Sequence, residues 1–449
     1  MNDTARLQLD VHLARAQVQA RVPSIAAAVV RQGEVVWSGA VGAVDGAEGA
    51  PATADTQYRV GSITKTMVAV GVMRLVAEGS VALTDSIRHH LPELDESLAH
   101  VTLTQLLTQS AGLAAETTGS WWERSPGTTW DELLPSIRLI GDPGRRFHYS
   151  NVGFAVLGQL LERHRGRPWA DVLTDEVWTP LAMTRTSYAA VAPSAPGLAV
   201  HPYADLRHVE PEQDTGAMAP AGQVWSTVED LGRWASFLAA GDEAVLPDAL
   251  RRSMHVPAVV CDSPGEAWTR CYGLGLDVLN IDGRRFVGHG GSMPGFIASV
   301  LVDPDTGTGA ATLTNSTAGP SGQLALALVD LLEEHAPLAP EPWRTSDSPD
   351  ADLVGTWFWG PRPYSLTTRP EGGLDLGPAG GGGRWSRFIA NSDGTWTGQD
   401  DYWAGETLRV IDRGTASVHL DLGSFRLTRT PYDPASDIPG GVDESGWHA

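Results

Sequence analysis

Strand-like runs stand at both ends of the first 335 residues, and a helical stretch separates them. Near the start, Ile25 to Val30 and Glu34 to Ala40 read as two strands about a turn at Arg31–Gly33, after a helical segment at residues 4–20. From about Ser62 to Leu238 the apolar spacing is helical, clearest in Ile63–Glu78, Leu103–Thr108, Ser150–Arg163 and Thr227–Leu238. Strand signals return at Tyr272–Leu279, Arg285–Gly288, Phe296–Val302 and Gly309–Thr314, and a helix at Gly322–His335 follows. Strands need partners, so the early and late runs around a helical middle imply one sheet built from both ends of this segment. The expected fold class is α+β.

The stretch from Ala336 to Asp350 is rich in Pro, Ser and Asp and lacks periodicity, which marks a linker. Beyond it come seven short alternating segments, Val354–Trp359, Tyr364–Arg369, Trp385–Ala390, Gly394–Thr397, Thr407–Ile411, Ser417–Leu420 and Phe425–Thr430. Turn signals between them point to a small antiparallel barrel or sandwich. The expected division is residues 1–335, a linker at 336–350, an all-β domain at 351–434 and a flexible tail at 435–449.

A net charge of −22 argues against a nucleic-acid partner, whose phosphates need clustered Lys and Arg. No uncharged apolar run reaches the roughly 18 residues a membrane span needs, so no membrane partner is expected. The N-terminal residues lack the charged, apolar and small-residue regions of a secretory signal, which points to the cytoplasm. Cys261 and Cys271 lack zinc or redox spacing and read as two ordinary thiols before a local disulfide. His89-His90 has no companion ligands at a metal-binding spacing, so no metal is expected.

Lys65 is the only lysine among 32 basic residues. Arginine keeps its proton in proteins, whereas a buried lysine can become a base. In Ser62-Ile63-Thr64-Lys65 the lysine lies three residues after the serine, so on a helix the amine reaches back to the hydroxyl. The plainer alternative is a serine N-cap followed by an exposed lysine. Tyr149-Ser150-Asn151 follows Pro143-Gly144 and opens another helical segment, which offers a phenol for proton transfer and an amide for a substrate hydrogen bond. Taken alone, that tripeptide also reads as a turn with a cap. Gly288-His289-Gly290-Gly291-Ser292 falls between two expected strands, where glycines allow close backbone approach to a ligand or simply form a bulge.

Together and in this order, the three motifs resemble those of the serine β-lactamase and penicillin-binding protein superfamily, of the class C and DD-peptidase type. Ser62 to Lys65 match its Ser-x-x-Lys, Tyr149 to Asn151 its Tyr-x-Asn, and His289 to Gly291 the His-x-Gly form of its Lys-Thr-Gly motif. Residues 106–113, Pro143-Gly144 and residues 221–227 agree, and the likeness covers about residues 10–335. It implies a helical lobe against an antiparallel sheet. It also implies acylation of Ser62, with Lys65 as base, Tyr149 as proton shuttle and His289 as the third catalytic element. Backbone N–H groups of Ser62 and Ser292 would form the oxyanion hole, and Asn151, Gly290 and Gly291 would contact substrate. Many relatives have a lysine where this chain has His289, and a neutral imidazole binds a carboxylate poorly.

The whole chain resembles, more narrowly, the penicillin-binding-protein-type thioesterases, stand-alone cyclases that release nonribosomal peptides. That likeness implies a C-terminal lipocalin-like barrel, and a partner in the peptidyl carrier protein of a nonribosomal peptide synthetase. No cofactor belongs to the enzyme itself, since the peptide rides on the carrier's phosphopantetheine. Ser62 would take the peptidyl group, typically through a C-terminal D-residue, and the peptide's own amine would release it as a macrolactam. Trp121 and Trp122, with Trp130, would wall the pocket or else pin a surface loop, and Arg429, with Arg426 as runner-up, would reach the peptide backbone. An esterase or D-stereospecific amidase of the same superfamily is the alternative, and a non-catalytic peptide-binding module the more distant one.

Overall fold

The computed structural model describes residues 1–431 except Glu48, Ser321, Glu341, Pro370 and Glu371, so the tail expected at 435–449 lies outside the described residues. The chain splits into two compact units, Met1–Leu338 and the chain from Ala339 onward.

The first unit is built on an eight-stranded antiparallel sheet. The strand Ser24–Arg31 pairs on one side with Glu34–Gly42 and on the other with Thr308–Thr314, where Ile25 faces Thr314 and Val30 faces Gly309. Phe296–Asp303, Arg284–Met293, Asp277–Ile281, Arg270–Tyr272 and Val259–Val260 follow outward in that order. The two ends of this unit therefore meet as neighbouring strands of one sheet, second and third from its edge. Ser24–Arg31 is buried along nearly its whole length because both of its faces are covered. Ala26, Ala28 and Val30 pack with Leu231, Trp234 and Leu238 of the helix Val228–Ala240. Ile25, Ala27 and Val29 face Leu9 and Leu13 of the helix Asp3–Ala20 and Leu324, Leu328 and Leu332 of the helix Gly322–His335. Burial on both faces favours a run of small and β-branched residues over strict polar alternation.

Two strand expectations need correction. Tyr272–Leu279 is two strands, Arg270–Tyr272 and Asp277–Ile281, paired antiparallel around a reversal whose Gly275 has φ +80°. Period-two counting sees apolar content and misses the reversal. The Gly288–Ser292 segment lies inside a strand, Arg284–Met293, rather than between two. Its glycines lower strand propensity, but at Gly288 and Gly291 a side chain has no room, since a Cβ there would lie 1.9 Å from the carbonyl oxygens of Val300 and Val60. The two thiols, Cys261 and Cys271, are free, and among the described residues no helix is long and apolar enough to cross a membrane.

The second unit is a closed barrel of eight antiparallel strands, each paired with its neighbour in sequence. The first, Gly355–Trp359, closes on the last, Phe425–Thr428, through Phe358 and Thr428. Leu374–Pro378 is the strand missed from sequence, a short Leu-Asp-Leu alternation hidden by the glycines on either side. Trp357, Tyr364, Phe388, Trp396 and Trp403 fill the interior with leucines, so side chains form the barrel's core.

Arg429, expected to reach a peptide, spends its guanidinium within the barrel. It donates to the carbonyl oxygens of Val354, Thr356 and Asp352 and lies 3.9 Å over the Trp357 ring. This clasp ties the chain after the last strand to the chain before the first. Arg429→Ala should destabilise the barrel by about 1–2 kcal/mol, given the partial exposure of the site. Hydrogen exchange in Gly355–Trp359 and Phe425–Thr428 of the full chain would report it, and unchanged protection there would show that the clasp contributes nothing.

Candidate active site

The helix Ile63–Ala77 begins at Ser62 and is buried on almost every side, as its nearly all-apolar sequence requires. Ser62 stands at the N-cap position, but its hydroxyl accepts no backbone N–H. It accepts instead from Lys65 Nζ at 2.9 Å, and the same amine donates to the Ala221 carbonyl oxygen at 2.6 Å. The sequence alternative of a capping serine and an exposed lysine is thus replaced by a hydroxyl–amine pair, with Lys65 fully buried. Burial pushes the Lys65 amine down to about 7, against an upward pull from Glu116 and Glu123. An amine with that pKa is partly neutral near pH 7 and able to accept the serine proton.

Tyr149 is held over this pair by its neighbours in the chain. His148 N–H donates to the Gln109 carbonyl oxygen at 2.7 Å, Ser150 N–H to Gln109 Oε1 at 2.8 Å, and Asn151 N–H to the Ala115 carbonyl oxygen at 2.9 Å. Ser150 caps the helix Asn151–Arg165 by accepting from Gly153 N–H at 2.9 Å. The 106–113 segment thereby pins the phenol-bearing turn, and Lys65 Nζ lies 5.0 Å from the Tyr149 ring centroid. Burial raises the Tyr149 pKa, and an interaction with Ser62 opposes that rise, so the phenol keeps its proton at neutral pH.

The strand Arg284–Met293 comes against the Ser62 turn with no room for side chains. A Cβ on Gly61, at φ +54°, would lie 2.5 Å from Ser292 N, and one on Gly291 would lie 1.9 Å from the Val60 carbonyl oxygen and 3.2 Å from Ser62 N. This contact brings in the backbone nitrogens of both Ser62 and Ser292, the donors expected for an oxyanion. Nothing lies within 4 Å of a Cβ on Gly290, which is exposed. His289 is buried one residue earlier. Its Nε2 pairs with the Tyr272 hydroxyl at 2.9 Å and its Nδ1 with the Gly290 carbonyl oxygen, an arrangement that makes Nε2 the acceptor and Nδ1–H the donor. Burial lowers its pKa, and its ring lies 6.1 Å from that of Tyr149.

The remaining sequence candidates divide. Asn151 Nδ2 donates to Glu116 Oε1 at 2.6 Å, and the Trp122 indole donates to Glu116 Oε2 at 2.6 Å, so one carboxylate straps Trp122 to Asn151. Trp122 is buried in the core, whereas Trp121 is exposed, hydrogen-bonded to Glu123 at 2.8 Å and stacked by Arg124. The three tryptophans expected as one wall therefore take three different environments, and Trp130 lines a separate cavity. Arg429 belongs to the second unit. Sequence reasoning missed Glu116 and Glu123, because a polar stretch around two tryptophans gives no periodic cue to what its carboxylates face. It also missed Tyr272, which fixes His289.

These parts can accept a proton from Ser62, hold an acyl group on it and supply or remove a proton at Tyr149. Comparison with known proteins agrees with that chemistry. A family model described as Beta-lactamase matches residues 9–334, and a second, a domain of unknown function (DUF7586), matches residues 346–429. The chain is 32% identical over 210 residues to Esterase EstB of Burkholderia gladioli, an alignment taking in 41% of this chain and 52% of the esterase, so it spans about half of that relative's length. A D-stereospecific amidohydrolase from Streptomyces sp. is similar in structure, with TM-score 0.59 and 26% identity, covering 76% of this chain and 100% of that one. The octameric penicillin-binding protein homologue from Pyrococcus abyssi shares the fold, with TM-score 0.64 and 20% identity over 95% of this chain and 100% of that one.

Proposed function

The chain belongs to the beta-lactamase family, and from that premise we propose that it is a serine acyltransferase that releases a nonribosomal peptide as a macrolactam. In this reading Lys65 takes the Ser62 proton and Ser62 Oγ attacks the carbonyl of a peptidyl thioester on a carrier's phosphopantetheine. The thiol departs with a proton delivered through Tyr149. The peptide's own amine then attacks the Ser62 ester, its proton returns to Ser62 by the same route, and the product is the free acid less one water.

The observation that carries the acyl chemistry is the 2.9 Å contact of a buried Lys65 amine with Ser62. Two features support a thioester donor and an amine acceptor. His289 has both nitrogens engaged inside the protein and a lowered pKa, so it offers no cation to a leaving-group carboxylate, and a pantetheine thiol has none. Its place beside Tyr149 suits a positioning role. Glu116 and Glu123 face Lys65 closely enough to pull on its charge, and such carboxylates also draw a free N-terminal ammonium toward the acyl ester. Holding that amine near the ester gives it the effective concentration it needs to outrun water. Likeness to an enzyme named for D-stereospecificity supports a D-residue at the acyl position.

Hydrolysis by the same intermediate is the second reading, favoured by the likeness to an esterase and an amidohydrolase. Mass spectrometry of products from linear peptidyl pantetheine thioesters, with free N-termini and D- or L-residues at the C-terminus, separates the two. A Ser62-dependent product lighter than the free acid by one water, favoured for D-residues, is expected. Linear acid alone would replace the cyclase reading with the hydrolase one.

A further inference from the structure

A cavity of about 570 Å³ is lined by none of the residues placed in the acyl site above. Trp130, Trp169, Gln159, Glu162, Asp214 and Pro220 are in its wall, and no Lys, Arg or His lines it. Ala155, Gln159 and Glu162 present it one face of the helix Asn151–Arg165, by their spacing of four and three residues. The volume suits a small organic molecule.

Among the described residues no salt bridge engages either carboxylate of the cavity wall, of which Glu162 is half-buried and Asp214 exposed. Glu162 is half-buried, accepts from Trp169 N–H at 3.2 Å and has no basic partner among the described residues. Burial raises its pKa with only that N–H opposing, so the carboxylate is held at a cost. Asp214 Oδ1 accepts from the Tyr188 hydroxyl at 2.5 Å and Gly216 N–H at 2.9 Å, and no salt bridge reaches it among the described residues. Arg59 is the cation that acts on Asp214 from a distance. Its guanidinium donates to the Gln213 carbonyl oxygen and to Gln223 and stays out of the lining. Two carboxylates beside two indoles are the complement of a cation with an apolar body, which an indole face attracts and a carboxylate fixes.

We propose that this cavity binds a small organic cation, a protonated amine or guanidinium on an apolar body, at a position separate from the Ser62 nucleophile. The occupant rests against Pro220, next to the Ala221 carbonyl that holds Lys65 Nζ. Pro220 has little slack, since a Cβ on Gly158 would come within 2.1 Å of its ring.

Phenethylammonium is a suitable probe and 2-phenylethanol its neutral counterpart, both measured by calorimetry on the full chain. The amine should bind at one site and the alcohol should not. Ser62→Ala protein should bind the amine as well as native protein, whether or not the acyl chemistry is as proposed above. Glu162→Gln and, independently, Asp214→Asn should each weaken binding roughly tenfold, the loss of one charge-assisted contact. Circular dichroism of each variant guards against misfolding, and Trp130→Leu gives a third, uncharged perturbation that should also weaken binding. No heat at millimolar amine, equal binding of the alcohol, or full affinity in both carboxylate variants would overturn the proposal. A peptide side chain and a free amine share this chemistry, and kinetics tell them apart. If phenethylammonium raises KM for an Arg-containing peptide ester and not for its Arg-free counterpart, the site takes a substrate side chain; if it binds with both KM values unchanged, the site takes a free ligand.

Discussion

Ser62→Ala should lower turnover of an activated ester such as p-nitrophenyl butyrate by at least about a thousandfold, because removal of the nucleophile leaves only binding and oxyanion stabilisation. It should also abolish the acylated species, seen in native protein as a mass increase of one butyryl group. The fold should persist. Ser62 makes no cap bond to its helix, and Lys65 keeps the Ala221 carbonyl as partner when the hydroxyl is gone. The pairing of lost acylation with a retained unfolding midpoint is what identifies a nucleophile as opposed to a structural serine. Residual turnover near the native rate, with no acyl adduct in either protein, would place the chemistry elsewhere and leave the 2.9 Å contact a structural one.

Much of this site was legible in sequence because its parts are fixed by short-range geometry. Three residues of helix bring Lys65 to Ser62, and a loop-to-helix junction presents Tyr149 with Ser150 as the cap. The sheet assembled from both chain ends was also readable, since unpartnered strand signals bracketed the helices. Side-chain partnership was not. Whether Arg429 faces a ligand or three carbonyls of its own barrel depends on where the chain before the first barrel strand runs, which no alternation encodes. The depth of His289 was hidden for a like reason. Period two assigns it a face of the strand Arg284–Met293, but its burial comes from Tyr272 on a strand that sequence had merged with the next. Glu116 and Glu123 belong to a segment without regular structure, where periodicity carries no information about what a carboxylate faces.

Acylation should depend on pH through Lys65, and its acid limb should be movable by a carboxylate that sequence did not reveal. The base must be neutral to take the Ser62 proton, and burial brings its pKa down to about 7. Below that value the protonated fraction grows, so kcat/KM for acylation should fall by about tenfold per pH unit and level off above it. Lys65→Arg should remove the limb together with the activity, because a guanidinium stays charged throughout this range. Glu123 pulls the amine upward. Its removal in Glu123→Gln lets burial act with less opposition, which shifts the limb to lower pH and leaves more free base at neutrality. The direction is the test: a limb that moves to higher pH, or stays in place, would mean that the titrating group is not the buried amine. Glu123 itself has a pKa raised mainly by burial, so part of its pull fades as the solution is acidified. The native limb should therefore be slightly shallower on its acid side than the limb of the glutamine variant, a difference in shape that a single isolated base would not produce.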